Sequence, residues 1–143
     1  MKKLIVTALL AASIGLSGCK LGATTYESGT AKANLEKNGY TVSVWSGSDV
    51  KNHIQGLNLE GHNIVDTCYG DKKENDEIKD VFVAFYFKTV DEAEKFLSAN
   101  ENANLGMLYD FVKKYVDADY KVGSKNNVAF AGSVTSVTYA GLA

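Results

Sequence analysis

The heptapeptide at residues 81–87, "VFVAFYF", contains no charged residue. A strand with one solvated face alternates apolar and polar side chains, whereas this stretch is apolar or aromatic at every position. Strands of that kind lie inside a sheet that is covered on both faces. The sequence therefore predicts that residues 81–87 form a central strand, and the other elements are assigned around it.

Three further stretches predict strands. Residues 40–45, "YTVSVW", alternate apolar and polar side chains, and residues 63–69 of "NIVDTCYG" are rich in strand-forming residues. Residues 120–132, "YKVGSKNNVAFAG", predict a strand, a Gly/Ser/Asn turn and a second strand. The segment between them at residues 70–80, "GDKKENDEIKD", is highly charged and predicts a solvated connection.

Capping residues and apolar spacing predict the helices. The clearest start is the capping box Thr89-Val90-Asp91-Glu92, which precedes apolar residues at helical spacing. The other predicted helices are residues 30–39 with Thr30 as N-cap, residues 49–55 with Asp49 as cap, and residues 105–116 with a core-facing apolar stripe.

The tail at residues 133–143, "SVTSVTYAGLA", allows two interpretations. Its valines and threonines favour a strand, but Val134 and Val137 would then point to opposite faces. A helix places both valines on one face, and Ser133 is a suitable N-cap. We predict a short helix here.

The middle of the chain runs strand, helix, strand, strand, helix, strand. That order resembles the ferredoxin-like split β-α-β fold, an α+β sandwich. The resemblance implies one four-stranded antiparallel sheet over residues 40–131 with helices on one face. Within this class, "NLEKNGYTVSV", "VFVAFYFKTVDEAEKFL" and "VGSKNNVAFAGSVTSV" are similar in layout to small uncharacterised bacterial lipoproteins. This second resemblance covers most of residues 31–140 and implies a fold but no activity.

The N-terminus has the organisation of a signal peptide. Lys2 and Lys3 are followed by an apolar run over residues 4–16, which is shorter than the roughly 20 residues that span a bilayer. The run ends in Leu16-Ser17-Gly18-Cys19, which resembles the lipobox of bacterial lipoproteins. The alternative is an ordinary secreted protein whose signal peptide happens to contain a cysteine.

The lipobox resemblance implies that residues 1–18 are cleaved and that Cys19 carries diacylglycerol on its sulfur, with acyl chains such as palmitate. Two acyl chains hold a protein stably on a membrane, where one holds it only marginally. Residues 19–30 would then be the lipidated cysteine and its tether, and residues 31–143 a single domain. The expected location is the cell envelope, on the outer side of the cytoplasmic membrane or on an outer membrane if one is present.

Composition argues against nucleic acid as a partner. All 15 basic residues are lysines, and loss of Lys2 and Lys3 leaves 13 against 17 acids, a net charge of −4. Recognition of phosphates and bases relies on arginine and on positive charge. Cys68 has no disulfide partner once Cys19 is lipidated, and we interpret it as a small, half-buried apolar side chain.

Catalytic motifs are missing from the sequence. It contains no G-x-S-x-G, P-loop, dinucleotide or H-E-x-x-H pattern. The strongest metal candidates are His53, Glu60, His62 and Asp66, because imidazole and carboxylate groups bind zinc, but their spacing matches no known metal pattern. The alternative is two solvated loop histidines with acidic neighbours.

We therefore expect a non-catalytic, lipid-anchored binding or interaction domain, with no cofactor and no enzymatic activity. Its partners would be the membrane through Cys19 and an unidentified ligand or envelope partner. A homodimer is a further possibility if one apolar face of the sheet lies uncovered. The alternative is a metal-handling protein or enzyme that uses the loop from His53 to Asp66.

Overall fold

The computed structural model describes residues 25–54, 59–103 and 119–143. They form an α+β fold with one five-stranded sheet in the order β1-β2-β3-β5-β4, in which every neighbouring pair is antiparallel. The helices are α1 (Ser28–Lys37), α2 (Val90–Ala103) and α3 (Val134–Tyr139), with a 3-10 helix at Gly47–Asn52. The strands are β1 (Thr41–Ser46), β2 (Asp66–Glu74), β3 (Glu77–Tyr86), β4 (Tyr120–Lys125) and β5 (Val128–Ser133).

The central-strand prediction is confirmed. β3 lies between β2 and β5, and every side chain from Val81 to Phe87 is buried. Its alternate side chains belong to two separate apolar clusters, one on each face of the sheet. The α+β class and the antiparallel sheet are also as expected, but the sheet has five strands where four were predicted. The reason is that both arms of the hairpin at residues 120–133 pair within the same sheet.

The expectation of helices on one face is wrong. Leu35 of α1 and Val137 of α3 pack in the cluster that contains Phe82, while Phe96 of α2 packs in the opposite cluster with Phe85. A central strand with two apolar faces is buried on both only if other elements, here helices, pack against both sides of the sheet. The homodimer, which was expected if one apolar face of the sheet lay uncovered, stays a prediction.

Residues 70–80 form a β-hairpin and not the predicted solvated connection. β2 and β3 continue through this segment and meet at a two-residue turn, Asn75-Asp76, in which both residues have positive φ. That conformation gives the turn a twist that matches the flanking strands. The second strand accordingly begins at Asp66 and extends to Glu74, where residues 63–69 were predicted.

The predicted helix boundaries are partly correct. Thr89 accepts a hydrogen bond from the Glu92 backbone N–H at 3.1 Å, so the N-cap of α2 is confirmed. The Ser133 cap of α3 is also confirmed, because its hydroxyl accepts from the Ser136 N–H at 2.9 Å. The first helix begins at Ser28, two residues before the predicted Thr30. The helix predicted after Asp49 is the 3-10 helix Gly47–Asn52, and the one predicted over 105–116 lies outside the described residues.

A polar cluster joins the loop between α1 and β1 to β3 and to the start of α3 on one side of the sheet. The Asp80 carboxylate accepts hydrogen bonds from the Tyr40 hydroxyl and, at 2.9 Å, from the Ser133 hydroxyl. Its other oxygen accepts from the Val81 backbone N–H at 2.8 Å. Because hydrogen bonds to a charged acceptor are the stronger ones, this cluster fixes where the last strand turns into the last helix.

Candidate functional site

Two adjoining cavities lie where the described chain begins. They measure about 440 Å³ and 290 Å³ and share Thr25, Tyr26, Glu27 and Tyr86 in their walls. Cavities of this size lie at the lower end of the range that binds small molecules. We refer to the two together as the entry cleft. The larger is completed by Ser28, Gly29, Val65, Asp66, Phe87, Lys88 and Asn127, and the smaller by Thr30, Ala140 and Gly141.

Residues 25–30 form one wall of the entry cleft, although they were predicted to belong to the tether. The backbone N–H of Tyr26 donates to the Asn127 side-chain oxygen at 2.7 Å, and the Asn127 amide donates back to the Tyr26 carbonyl at 3.0 Å. The same amide also donates to the Phe87 carbonyl at 2.9 Å. These residues therefore belong to the folded domain, and the tether prediction is wrong for them. Its earlier part, with Cys19 and the signal peptide, lies outside the described residues.

Tyr86 is one of the buried side chains with a polar group in the wall of the entry cleft, together with Ser28 and Asn127. It is 3 % exposed, and its ring packs in the apolar cluster beneath α1. Burial, followed by the nearby Cys68 and Asp66, raises the pKa of Tyr86 well above its usual value, so the hydroxyl stays protonated. Across the described residues this hydroxyl makes no hydrogen bond. The hydroxyl is not one of the fully buried polar atoms that lack a partner, and as part of the cleft wall Tyr86 can donate to or accept from a ligand.

Asp66 lies directly beside Tyr86. The two residues are paired across β2 and β3 and therefore face the same side of the sheet, with Cβ atoms about 5 Å apart. One Asp66 oxygen accepts from the Ser28 hydroxyl at 3.1 Å. Asp66 is half-buried, whereas Glu27 and Lys88, the other charged residues that line the described part of the cleft, are exposed. The cleft thus combines a carboxylate acceptor and a phenol hydroxyl with mostly apolar walls.

Cys68 does not line the entry cleft. Cys68, two residues from Asp66, is fully buried beneath α1, and burial raises the pKa of its thiol to about 12. The thiolate is the reactive form of cysteine, and it is therefore scarce at neutral pH. Cys68 behaves as a small apolar side chain, as predicted, although it is fully rather than half buried.

The structure does not bring the four candidate metal ligands together. The His53 ring stacks on Trp45 with centroids 4.1 Å apart, and the His62 ring meets the edge of Phe96 at 5.3 Å. Glu60 is exposed, and Asp66 lies in the entry cleft. Across the residues that the structure describes, no three His, Cys, Asp or Glu side chains are grouped so that they could hold a metal ion.

Sequence reasoning missed the residues that matter in the entry cleft. Tyr86 is one of four aromatic residues in the apolar heptapeptide 81–87, and Asn127 belongs to a turn where asparagine is common. The one available signal was the hydroxyl of Tyr86 in an otherwise polar-free heptapeptide, because buried tyrosines usually need a hydrogen-bond partner.

Comparisons with protein-family models, with curated proteins and with solved structures gave no match to this chain. Among the described residues, no helix has both the length and the apolar character needed to cross a membrane.

Proposed function

We propose that the protein is a lipid-anchored, exported bacterial domain whose role is binding and not catalysis, and that the entry cleft is its binding site. The observation that carries the proposal is Tyr86, a side chain that lines both cavities and whose hydroxyl bonds no other described residue. A phenol hydroxyl both donates and accepts, so it can pair with a ligand that enters the cleft.

The anchor in this proposal is Cys19. Five residues lie between it and Thr25, so the cleft would lie within about 20 Å of the lipid even if the intervening chain were fully extended. A net charge of −4 gives the mature chain no attraction for anionic lipids, so acyl chains would supply the attachment. The cleft would then receive its ligand at or near the membrane surface of the cell envelope.

Metabolic labelling tests the anchor. Cells expressing the wild type or Cys19→Ala are grown with an alkynyl fatty acid, and the mature N-terminus is measured by mass spectrometry. We expect acyl chains on Cys19 in the wild type and no label in the variant. Ser17→Ala is the control, because it changes a neighbouring residue and keeps the cysteine sulfur that is modified. A mature wild-type protein with a free Cys19, or one that begins at another residue, would refute the anchor and the location.

A blocking substitution tests the cleft. Thr25 is exposed and lines both cavities, so Thr25→Trp should fill the cleft without disturbing the core. Thr135→Trp, at an exposed position of α3 outside the cleft, is the matched control. Native mass spectrometry of protein extracted in mild detergent should show a co-purified small molecule on the wild type and on Thr135→Trp. Equal retention by Thr25→Trp would place binding elsewhere.

A metal-handling role is less well supported than binding in the cleft. His53 and His62 contact different aromatic residues, and neither lines the entry cleft. Zinc that bound the native state would raise the melting temperature by mass action. We expect no shift for the wild type. A shift that His62→Ala abolished would support metal binding.

The finer fold assignment is also a proposal. The antiparallel sheet and the order strand–strand–helix–strand over β2, β3, α2 and β4 support a ferredoxin-like relationship. A fifth strand and helices on both faces would make this domain a variant of that class. Fold class alone carries no function, so the binding proposal does not depend on it.

A further inference from the structure

We infer that the ligand of the entry cleft is a small organic cation, with an ammonium head group and a compact apolar body. The inference rests on the proposed binding role and adds the chemistry of the ligand. It follows from two features of the described walls, the side chains that can pair with a head group and the surface that is left for the rest of the molecule.

Asp66 and Tyr86 are the two side chains that can pair with the head group of the ligand. The two side chains face the same side of the sheet as a cross-strand pair, and no hydrogen bond joins them to each other. An ammonium group has three donors and no acceptor, so it can donate to the Asp66 carboxylate and to the oxygen of the Tyr86 hydroxyl together. Hydrogen bonds between two charged groups are shorter and stronger than those between neutral groups.

The charge of the cleft favours a cation over an anion. Its described walls carry Asp66, Glu27 and Lys88, an excess of one negative charge. Asp66 is the partly buried one, whereas Glu27 and Lys88 are exposed to solvent and to screening by salt. An anionic head group beside Asp66 would meet a like charge in a poorly solvated place, which raises its cost of binding.

The remaining walls of the cleft indicate the size and the apolar character of the ligand body. Tyr26 and Val65 contribute apolar surface to the larger cavity, and Ala140 contributes to the smaller one. Each cavity holds a molecule of about one aromatic ring or a short alkyl chain, since drug-sized ligands need the upper part of the usual 300–1,000 Å³ range. A benzyl group is therefore a suitable test body.

Three probes that share this body and differ in charge test the inference. Benzylammonium, benzyl alcohol and benzoate are titrated calorimetrically into the lipidated, full mature protein in a zwitterionic detergent, and the heats of protein-free micelles are subtracted. We expect benzylammonium to bind about ten-fold more tightly than benzyl alcohol, and benzoate to bind most weakly. Thr25→Trp should abolish binding of all three.

Substitutions then separate the charge from the shape. Asp66→Asn should weaken benzylammonium about ten-fold and change benzyl alcohol by less than about two-fold, since it removes the charge and keeps the size. Asp71→Asn, on the same strand and also half-buried but outside the cleft, is the matched control and should bind like the wild type. Tyr86→Phe should weaken both hydrogen-bonding probes.

The outcomes distinguish a failure of the cationic ligand from a failure of the proposed binding function. Benzyl alcohol or benzoate binding as tightly as benzylammonium, or Asp66→Asn leaving benzylammonium unaffected, would overturn the cationic ligand and keep the cleft as a binding site. Failure of all three probes to bind the wild type would overturn the cleft as a small-molecule site, and the cationic ligand with it.

Discussion

Gly132 is the position at which the fold leaves no room for a side chain. A Cβ there would lie 2.6 Å from the Ser136 hydroxyl oxygen, and 3.2 Å from both the Phe82 ring and the Val81 carbonyl oxygen. The last two are held by the central strand and its pairing, so they cannot move away cheaply. The Ser136 hydroxyl can rotate only by giving up its hydrogen bond to the Ser133 carbonyl at 3.0 Å.

Gly132→Ala should therefore destabilise the protein by about 1–3 kcal/mol. Overpacking a core by one methyl group costs about this much, and a lost hydrogen bond adds about 1 kcal/mol. The reduced freedom of the unfolded chain offsets about 0.4–1 kcal/mol of it. Urea unfolding should show a lower midpoint with an unchanged slope, and the melting temperature should fall by roughly 4 °C per kcal/mol.

Two further variants make this prediction specific. Gly123→Ala is the control, because its Cβ would meet only the Phe130 ring at 3.6 Å, an ordinary contact, and we expect stability to stay the same or to rise by up to about 1 kcal/mol. In Gly132→Ala/Ser136→Ala the closest clash is gone, so the double variant should be more stable than the sum of the single effects by about 1 kcal/mol. A Gly132→Ala protein as stable as the wild type, or more stable, would refute the packing argument.

Three other predictions follow from burial. Phe85→Ala should cost about 3–5 kcal/mol in denaturant melts, and a loss under about 1 kcal/mol would show that β3 is not the core strand. Asn127→Ala removes three hydrogen bonds and should cost about 3 kcal/mol by the same measurement, whereas a neutral result would mean that they do not hold residues 25–27. The native Cys68 pKa of about 12 lies above the usual value of about 8.5, so the unfolded chain loses this proton first as the pH rises. The free energy of unfolding should then fall from about pH 8.5 upwards, by up to about 1.4 kcal/mol per pH unit. Cys68→Ala should move the onset of this fall towards about pH 10, where tyrosines titrate. An unchanged onset in the variant would contradict the burial of this thiol.

The elements that could be predicted from sequence are those whose signals are local. The apolar heptapeptide, the Thr89 cap and the Ser133 cap each depend on neighbouring residues only, and all three are confirmed. The capping box at Thr89 is nevertheless only half formed, because the Glu92 side chain leaves Oε1 buried without a hydrogen bond among the described residues. Local signals establish that an element exists and where it starts.

Elements whose cause lies elsewhere in the chain were mispredicted. The charged residues 70–80 look like a solvated connection, yet the ends of β2 and β3 continue beyond the core, where exposed lysines and acids are compatible with backbone pairing. The number of strands depended on both arms of the last hairpin joining one sheet, and the number of covered faces depended on where three separate helices pack. These are properties of tertiary contacts, which override local composition.

The entry cleft was beyond prediction for a related reason, since its wall is made by residues that are distant in the sequence. Tyr26 and Asn127 are 101 positions apart, and their hydrogen bonds bring the start of the domain against the end of the central strand. The segment that meets Asn127 is also the one that follows the proposed lipid anchor. The wall of the cleft would therefore depend on the two hydrogen bonds between Tyr26 and Asn127, whereas attachment to the membrane would depend on Cys19. An Asn127→Ala protein that remained folded would retain its acyl chains and lose the wall of its binding site, which separates the two halves of the proposed function in a single variant.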